Sequence, residues 1–215
     1  MIKLENISFR YDNSKEDILK DVSFTLETSS ILAIVGPSGG GKSTLLRVIS
    51  GLEEPYAGSI SIDNKKVFDK HTLVSIESRG VGMLFQDYAL FPHMSVGKNI
   101  EYGLDKMKKG EKKEKVKEML KLVELEEYSK RYPHQLSGGQ QQRIALARAL
   151  APSPKILLLD EPFSNLDSQL LEKVRRDLLK IIKKTGITTI MVTHNPEDAE
   201  AMASKTIVID GGISK

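Results

Sequence analysis

Cysteine is absent from this 215-residue sequence, and this absence and others exclude several classes of protein. Without cysteine the chain has neither disulfides nor cysteine-ligated metal sites. No stretch approaches the roughly 20 consecutive apolar residues that a membrane-spanning helix needs. The first residues, Met1 to Glu5, lack the apolar core of a secretory signal peptide. We therefore expect a protein of the cytoplasm.

A large excess of charge of one sign is also missing. The net charge is +3 and the basic residues form no stripe, so the sequence gives no argument for a nucleic-acid partner. The lysine- and glutamate-rich stretch 106–121 is interpreted as a solvated helix with an apolar inner face. With 40% apolar residues, no internal repeat and no low-complexity linker, we expect one globular domain.

The most informative stretch runs from Gly36 to Thr44 and reads Gly-Pro-Ser-Gly-Gly-Gly-Lys-Ser-Thr. The apolar run 31–35 precedes it and apolar residues at helical spacing follow it, which is the context that a phosphate-binding loop requires. Glycines allow backbone N–H groups to turn towards a phosphate, and the first turn of the helix offers further N–H groups. We expect Lys42 to reach the β- and γ-phosphates and the Ser43 hydroxyl to bind Mg²⁺.

Polar residues follow other predicted strands, at the edge where open parallel sheets bind ligands. They are Gln86, Asp160, Glu161 and His194. Asp160 is predicted to hold Mg²⁺, and its neighbour Glu161 is the candidate general base for an attacking water. His194 is the candidate sensor of the γ-phosphate. A GTPase is not indicated, because the chain has neither an Asp-x-x-Gly switch nor a base-reading tetrapeptide.

These motifs follow one another as in the nucleotide-binding subunits of ABC transporters, which the chain resembles over nearly its whole length. Gly36 to Thr44 resembles the Walker A loop, and Gln86 the Q-loop glutamine. The sequence Leu-Ser-Gly-Gly-Gln at 136–140 is the most diagnostic motif, because it is similar to the ABC signature. Tyr11 falls where the family places the aromatic ring that stacks on adenine.

The second half of the chain carries the remaining motifs of the family. Ile156 to Asp160 resembles Walker B, with Glu161 as the catalytic glutamate. Ser164 to Asp167 resembles the D-loop, and His194 the switch histidine. The segment 68–78 matches no motif. The importer subunits that are most similar continue into a β-rich regulatory domain, whereas this sequence stops at Lys215, so we expect a chain without that domain.

The resemblance implies an α/β fold of the P-loop NTPase type. We expect a single domain, 1–215, with a mostly parallel core sheet, an N-terminal antiparallel β subdomain and an inserted helical subdomain at about 87–150. Residues 1–86 and 151–215 would form the β subdomain and the nucleotide-binding core.

The cofactors implied are ATP and Mg²⁺. Glu161 and His194 would be catalytic, and Ser43, Gln86 and Asp160 would hold the metal. The residues expected to bind the nucleotide are Tyr11, Gly36, Pro37, Ser38, Gly39, Gly40, Gly41, Lys42, Ser43, Thr44, Gln86, Ser137, Gly138, Gly139 and Gln140.

The family also implies partners. Two ATP-binding subunits would form a head-to-tail dimer, with each ATP between the Walker A loop of one and the signature of the other. The stretch from Phe85 to Val96 is similar to importer subunits for polyamines, ferric iron, sugars and anions. We therefore expect an ATP-hydrolysing importer subunit, peripheral on the inner face of the cell membrane. Its partners would be transmembrane permease subunits and, in the full system, a solute-binding protein.

Three other functions remain as alternatives. The first is the ATPase subunit of an exporter or a lipid-handling system. Only the similarity of the 86–96 region to importer subunits disfavours it. The second is a non-transport ABC ATPase, although the long coiled coils or tandem cassettes of those proteins are missing here. The third is a nucleotide-binding scaffold without turnover, for which Glu161→Gln would leave the ATPase activity unchanged.

Overall fold

The computed structural model describes residues 1–12, 14–164, 168–210 and 213–214. Three residues of the D-loop-like motif, 165–167, lie outside this set. The strands are β1 (Ile2–Phe9), β2 (Leu19–Leu26), β3 (Ile31–Val35), β4 (Ala57–Ile62), β5 (Lys65–Asp69), β6 (Thr72–Leu73), β7 (Val81–Leu84), β8 (Ile156–Asp160), β9 (Thr188–Thr193), β10 (Lys205–Asp210) and β11 (Ile213–Ser214). The helices are α1 (Lys42–Ser50), α2 (Val96–Glu101), α3 (Lys109–Leu122), α4 (Gly138–Leu150), α5 (Ser168–Thr185) and α6 (Pro196–Met202).

The strands form two sheets. The first contains β2, β1, β4, β5 and β6 in that order, and all its neighbours are antiparallel. The second has the order β11-β10-β3-β9-β8-β7 and is parallel except between β10 and β11. The predicted N-terminal antiparallel part and mostly parallel core sheet are therefore confirmed.

The parallel sheet is covered on both faces, as the aliphatic sequence of β8 predicts. Leu157 and Leu159 pack into one cluster with helices α2 to α6. Ile156 and Leu158 point the opposite way, towards α1 and the antiparallel sheet. Because side chains alternate along a strand, this one strand contributes to two cores and is fixed between them.

Two details of local structure go beyond the motifs. The sequence predicts a helix from Gln141 to Ala151 after the signature-like residues, but α4 begins at Gly138, because Ser137 and Gln140 form a capping box. The segment 68–78, which matched no motif, contains the end of β5, the short strand β6 and a 3-10 helix over Ile76–Ser78. Among the described helices, none combines the length and the apolar character needed to cross a membrane.

Candidate functional site

The loop between β3 and α1 has a conformation that requires glycine at two positions. Gly36 has a φ of 154°, and a Cβ there would lie 2.0 Å from the carbonyl oxygen of Ile209. Gly41 has a φ of 93°, and its Cβ would lie 2.8 Å from the carbonyl oxygen of Ile18. The loop is thus held against β10 and against the chain before β2, and a side chain at either glycine would displace it.

Lys42 closes this loop from within. The residue is only 4% exposed. Its ammonium group donates hydrogen bonds to the carbonyl oxygens of Gly36, at 3.0 Å, and Pro37, at 2.8 Å. A buried charge needs such partners, so the lysine and the loop carbonyls stabilise each other.

Ser43 and Asp160 meet across the end of the parallel sheet. The Ser43 hydroxyl lies 2.7 Å from Oδ1 of Asp160 and donates to it. Burial raises the pKa of the Asp160 carboxyl, an effect that the Ser43 hydrogen bond opposes and the neighbouring Glu161 charge reinforces. A hydroxyl and a carboxylate oxygen, with a phosphate loop beside them, form the kind of donor set that Mg²⁺ takes in nucleotide sites. The residues present therefore fit this ion.

Glu161 and His194 form a second pair beside the first. His194 Nδ1 lies 3.2 Å from Glu161 Oε2. The His194 side chain is 55% exposed and the Glu161 side chain 17%, so the pair faces solvent at the edge of the sheet. Glu161 has a φ of 43°, and its backbone N–H donates to the carbonyl of Val192, which ties the end of β8 to β9.

Tyr11 and Gln86 also lie near strand ends, as the sequence predicts. The Tyr11 hydroxyl is 3.5 Å from the Thr44 hydroxyl, at the start of α1. Its ring packs edge-on against Phe9 with centroids 4.8 Å apart, which leaves the ring half-buried. Gln86 is exposed in the turn after β7. The structure thus brings Tyr11 next to the phosphate loop.

The signature-like residues 137–140 lie on a separate surface. Ser137 and Gly138 are exposed at the N-terminus of α4. The Ser137 hydroxyl accepts from the Gln140 N–H at 3.4 Å, and the Gln140 side chain accepts from the Ser137 N–H at 2.9 Å. In the described part of the chain, no hydrogen bond or ion pair joins residues 137–140 to the phosphate loop. Any ligand of this surface would approach from outside.

Arg79 is a buried residue that the sequence did not identify, and it contacts the helix that follows the phosphate loop. It is 3% exposed, and Nη1 donates to the carbonyls of Val48 at 3.1 Å and Ile49 at 3.2 Å, in the last turn of α1. Its Nε donates to Val74, at 2.9 Å. The guanidinium therefore stabilises the carboxyl-terminal end of the helix that begins at the phosphate loop. No linear motif identifies such a contact.

Two further residues that the sequence did not identify, Arg148 and Asn99, fix the loop after Gln86. Arg148 of α4 donates to the carbonyls of Tyr88, at 2.9 Å, and Ala89, at 2.6 Å. Tyr88 and Ala89 both have positive φ values, 61° and 46°. The fully buried Asn99 bonds both the N–H and the carbonyl of Phe91. Side chains from two helices thus fix this loop, although the sequence shows only an aromatic stretch.

Comparison with known proteins gives one consistent family. A family model described as ABC transporter matches residues 19–164. The chain is 44% identical over 214 residues to the putrescine transport ATP-binding protein PotG of Escherichia coli, covering 99% of this chain and 55% of that protein. It is 46% identical over 217 residues to the sulfate/thiosulfate import ATP-binding protein CysA of Bacillus cereus, covering 98% of this chain and 59% of that protein.

Solved structures agree with the sequence relatives. A dimeric ATP-binding cassette in a post-hydrolysis state, bound to ADP and Pi, superposes with a TM-score of 0.82 at 36% identity. The match covers 100% of this chain and 98% of that one. The chain spans 55–59% of the length of the curated relatives named above, so it corresponds to one part of those proteins.

Proposed function

Because the chain belongs to the ABC transporter family, we propose that it is the ATP-binding and ATP-hydrolysing subunit of an ABC importer. The observation that carries the proposal is the placement of two polar pairs, Ser43–Asp160 and Glu161–His194, side by side at the carboxyl ends of the parallel strands. In this arrangement Ser43 and Asp160 could hold a metal ion beside the phosphates, and the separate Glu161 carboxylate could activate a water molecule.

We assign the phosphates to the loop 36–44. The N–H groups at the start of α1 and the Lys42 ammonium would face the β- and γ-phosphates. Tyr11, half-buried beside Thr44, would stack on the adenine. Ser43, Asp160 and Gln86 would hold Mg²⁺, which when bound neutralises charge on the phosphate oxygens.

Glu161 is assigned to the attacking water. Its carboxylate is not part of the Ser43–Asp160 pair. The Glu161 side chain lies at the same sheet edge and is 17% exposed to solvent. His194, at 3.2 Å, would orient the carboxylate and sense the γ-phosphate. The Glu161 carboxylate would accept the proton of the water as the oxygen attacks the γ-phosphorus and the bond to ADP breaks.

Residues 137–140, of which Ser137 and Gly138 are exposed, are assigned to the ATP of a second subunit. Gly138 and Gly139 lie in the first turn of a helix, beside the Ser137 hydroxyl, and the backbone N–H groups of such a turn favour an anion. The partner's Walker A loop would bring that anion in a head-to-tail dimer. This assignment gives a function to a motif that, among the described residues, has no hydrogen bond or ion pair with the phosphate loop of its own chain.

The helical subdomain, at about 87–150, is assigned to the membrane partner. The rings of Phe91 and Tyr102 are in tilted contact, with centroids 4.5 Å apart, and Tyr102 is 55% exposed. Together with the loop fixed by Arg148 and Asn99 they offer an aromatic surface close to Gln86. We place a cytoplasmic segment of a permease subunit here, which puts the chain on the inner face of the cell membrane.

Phosphate release by the purified chain tests the enzymatic part. Wild type should release phosphate from Mg-ATP, and Glu161→Gln should lower kcat by about a hundredfold or more, as loss of a general base does. The matched control is Glu197→Gln, an exposed glutamate beyond His194 that should leave kcat unchanged. Equal rates for wild type and Glu161→Gln would favour a scaffold without catalysis.

Co-purification tests the transport part. The tagged Glu161→Gln chain, with ATP, would be isolated from gently solubilised native membranes and its companions identified by mass spectrometry. A multi-spanning permease subunit is expected, and it should be lost on Tyr102→Glu. Soluble companions only would contradict a role in transport.

A further inference from the structure

The turn that carries Glu161 has a strained backbone. The φ of 43° at Glu161 is in the left-handed region, which residues with a Cβ seldom adopt. Such a conformation persists only where the surrounding contacts fix it. Ser164 provides two of them, because its N–H and its hydroxyl donate to the Glu161 carbonyl at 3.3 and 3.0 Å. These contacts are local to the turn.

A further contact comes from a distant element. Gln142 lies on α4 and is 1% exposed, and its Nε2 donates to the carbonyl oxygen of Pro162 at 2.9 Å. Proline has no backbone N–H, so this carbonyl is the only main-chain hydrogen-bonding group of the residue next to Glu161. Gln142 therefore holds the turn directly beside its strained position.

We propose that Gln142 is a positioning residue for the Glu161 carboxylate. Its buried amide fixes the turn at Pro162 and ties it to the helix whose N-terminus presents Ser137. The inference rests on the proposed function, in which Glu161 activates water. Reacting groups displaced by about 1 Å lose rate by about a hundredfold, so one hydrogen bond at this place affects turnover.

Helix α4 also links the two ATP sites of the proposed dimer. Ser137 would meet the partner's ATP, whereas Glu161 serves the ATP of its own chain. Both depend on α4, one at its N-terminus and the other through a side chain slightly more than one turn further along. A displacement of the helix at one ATP would therefore move the Pro162 carbonyl at the other.

Gln142→Met tests the proposal, because methionine matches the length of the side chain and removes the N–H donor. We expect kcat to fall about tenfold to hundredfold, while the affinity for a fluorescent ATP analogue stays unchanged. The control is Thr185→Val, which also removes a side-chain donor to backbone carbonyls. The Thr185 hydroxyl donates to Ile181 at 3.1 Å and Ile182 at 3.0 Å, at the end of α5 and outside the residues assigned to ATP, so kcat should be kept.

A second background separates positioning from a general loss of structure. In Glu161→Gln the carboxylate is already missing, so adding Gln142→Met should leave the residual single-turnover rate unchanged. A further loss of the same size as in wild type would overturn the proposal. If Gln142→Met does not fold, Gln142→Asn, which keeps the amide but shortens its reach, is measured in the same way.

The outcomes also separate this proposal from the function on which it rests. An active wild type with a normal kcat in the folded Gln142 variants would overturn the role of Gln142 alone. A wild type without ATP turnover would overturn the proposed function and this inference with it.

Discussion

Lys42 shows how a single side chain organises the phosphate loop. Its ammonium is buried and bonded to two carbonyls of the loop, so the loop is held closed around a positive charge. In the proposed function, a phosphate is a stronger partner for this ammonium than the carbonyls are. A loop that is already held in place lowers the entropy cost of binding and so favours affinity.

Lys42→Ala should therefore weaken nucleotide binding. The loss of a charge-assisted hydrogen bond of about 1.5–3 kcal/mol corresponds to about a tenfold to hundredfold lower affinity. Titration with a fluorescent ATP analogue measures this, with Lys155→Ala, an exposed lysine, as the control. An unchanged affinity in Lys42→Ala would remove this lysine from the phosphate site.

Asp160 is a residue whose burial reduces the stability of the nucleotide-free chain. Because burial raises its pKa, the native state disfavours the charged form relative to the unfolded chain. The penalty grows as pH rises from the ordinary carboxyl range through the raised native pKa, and it is constant above that. The proposed function uses this carboxylate, whereas the stability of the chain does not depend on it.

Asp160→Asn should raise the Tm of the nucleotide-free chain at pH 7. A gain of about 1 kcal/mol would raise it by about 2–4 °C in a chain of this size. Differential scanning calorimetry across pH checks the sign, because the advantage should vanish as pH falls and the wild-type carboxyl becomes protonated. A lower Tm in the variant at pH 7 would show that this carboxylate stabilises the free protein.

At the scale of elements, α1 is held at both ends. Its N-terminus follows the phosphate loop, and its last turn is bonded by Arg79, which is buried without an ion pair in the described part of the chain. Burial lowers the pKa of Arg79, yet a guanidinium keeps its charge in proteins. Its charge therefore remains at the negative end of the helix dipole.

Arg79→Met should destabilise the chain by about 2–4 kcal/mol, because it removes a buried guanidinium that donates to the carbonyls of Val48, Ile49 and Val74. Arg79→Lys should restore little, since one ammonium cannot reproduce the planar fork. Urea denaturation measures both, and Arg176→Met, at an exposed arginine, should stay within about 0.5 kcal/mol of wild type. A small effect of Arg79→Met would mean that water replaces the guanidinium.

The start of α4 shows which local features the sequence could have given. Ser137 and Gln140 have the capping-box spacing, so a helix beginning at Gly138 was predictable, but the two glycines suggested a loop. Arg79, Gln142 and Arg148 were not predictable in this way. Each acts on backbone carbonyls far away in sequence, and such partners follow from tertiary packing rather than from a local pattern.

Ser137→Arg should abolish turnover while each chain still binds ATP. A long cation at this exposed helix N-terminus opposes the dipole and blocks the surface that would meet a second chain. Phosphate release and nucleotide titration are measured together, with His134→Arg adding the same side chain at an exposed position nearby. Full activity in Ser137→Arg would contradict a role for this surface in hydrolysis.

At the scale of the molecule, the sequence predicted both sheets through its resemblance to a known family. Its β8 segment has four consecutive aliphatic residues, which is typical of a parallel strand covered on both faces, and its β1 segment begins with alternating buried and exposed residues. It could not predict the strand order or that Tyr11 lies beside Thr44, because these depend on how the sheets pack. It also could not show that residues 137–140 lie on a surface separate from their own phosphate loop.

That separation makes a second chain necessary to the account. One chain has Glu161 and the phosphate loop at one edge, and Ser137 and Gly138 exposed on another element. In the proposed function, a partner in the opposite orientation brings these surfaces together over one ATP. The expected dimer depends on nucleotide, since the phosphates supply the charge that joins Lys42 of one chain to the helix N-terminus of the other.

Light scattering of Glu161→Gln with and without saturating Mg-ATP tests this most directly. The variant retains the phosphate loop and lacks the general base, so the ATP-bound state should accumulate. We predict a doubling of mass with ATP, a monomer without it, and a monomer under both conditions when Ser137→Arg is added. A monomer for Glu161→Gln at saturating Mg-ATP would contradict the account.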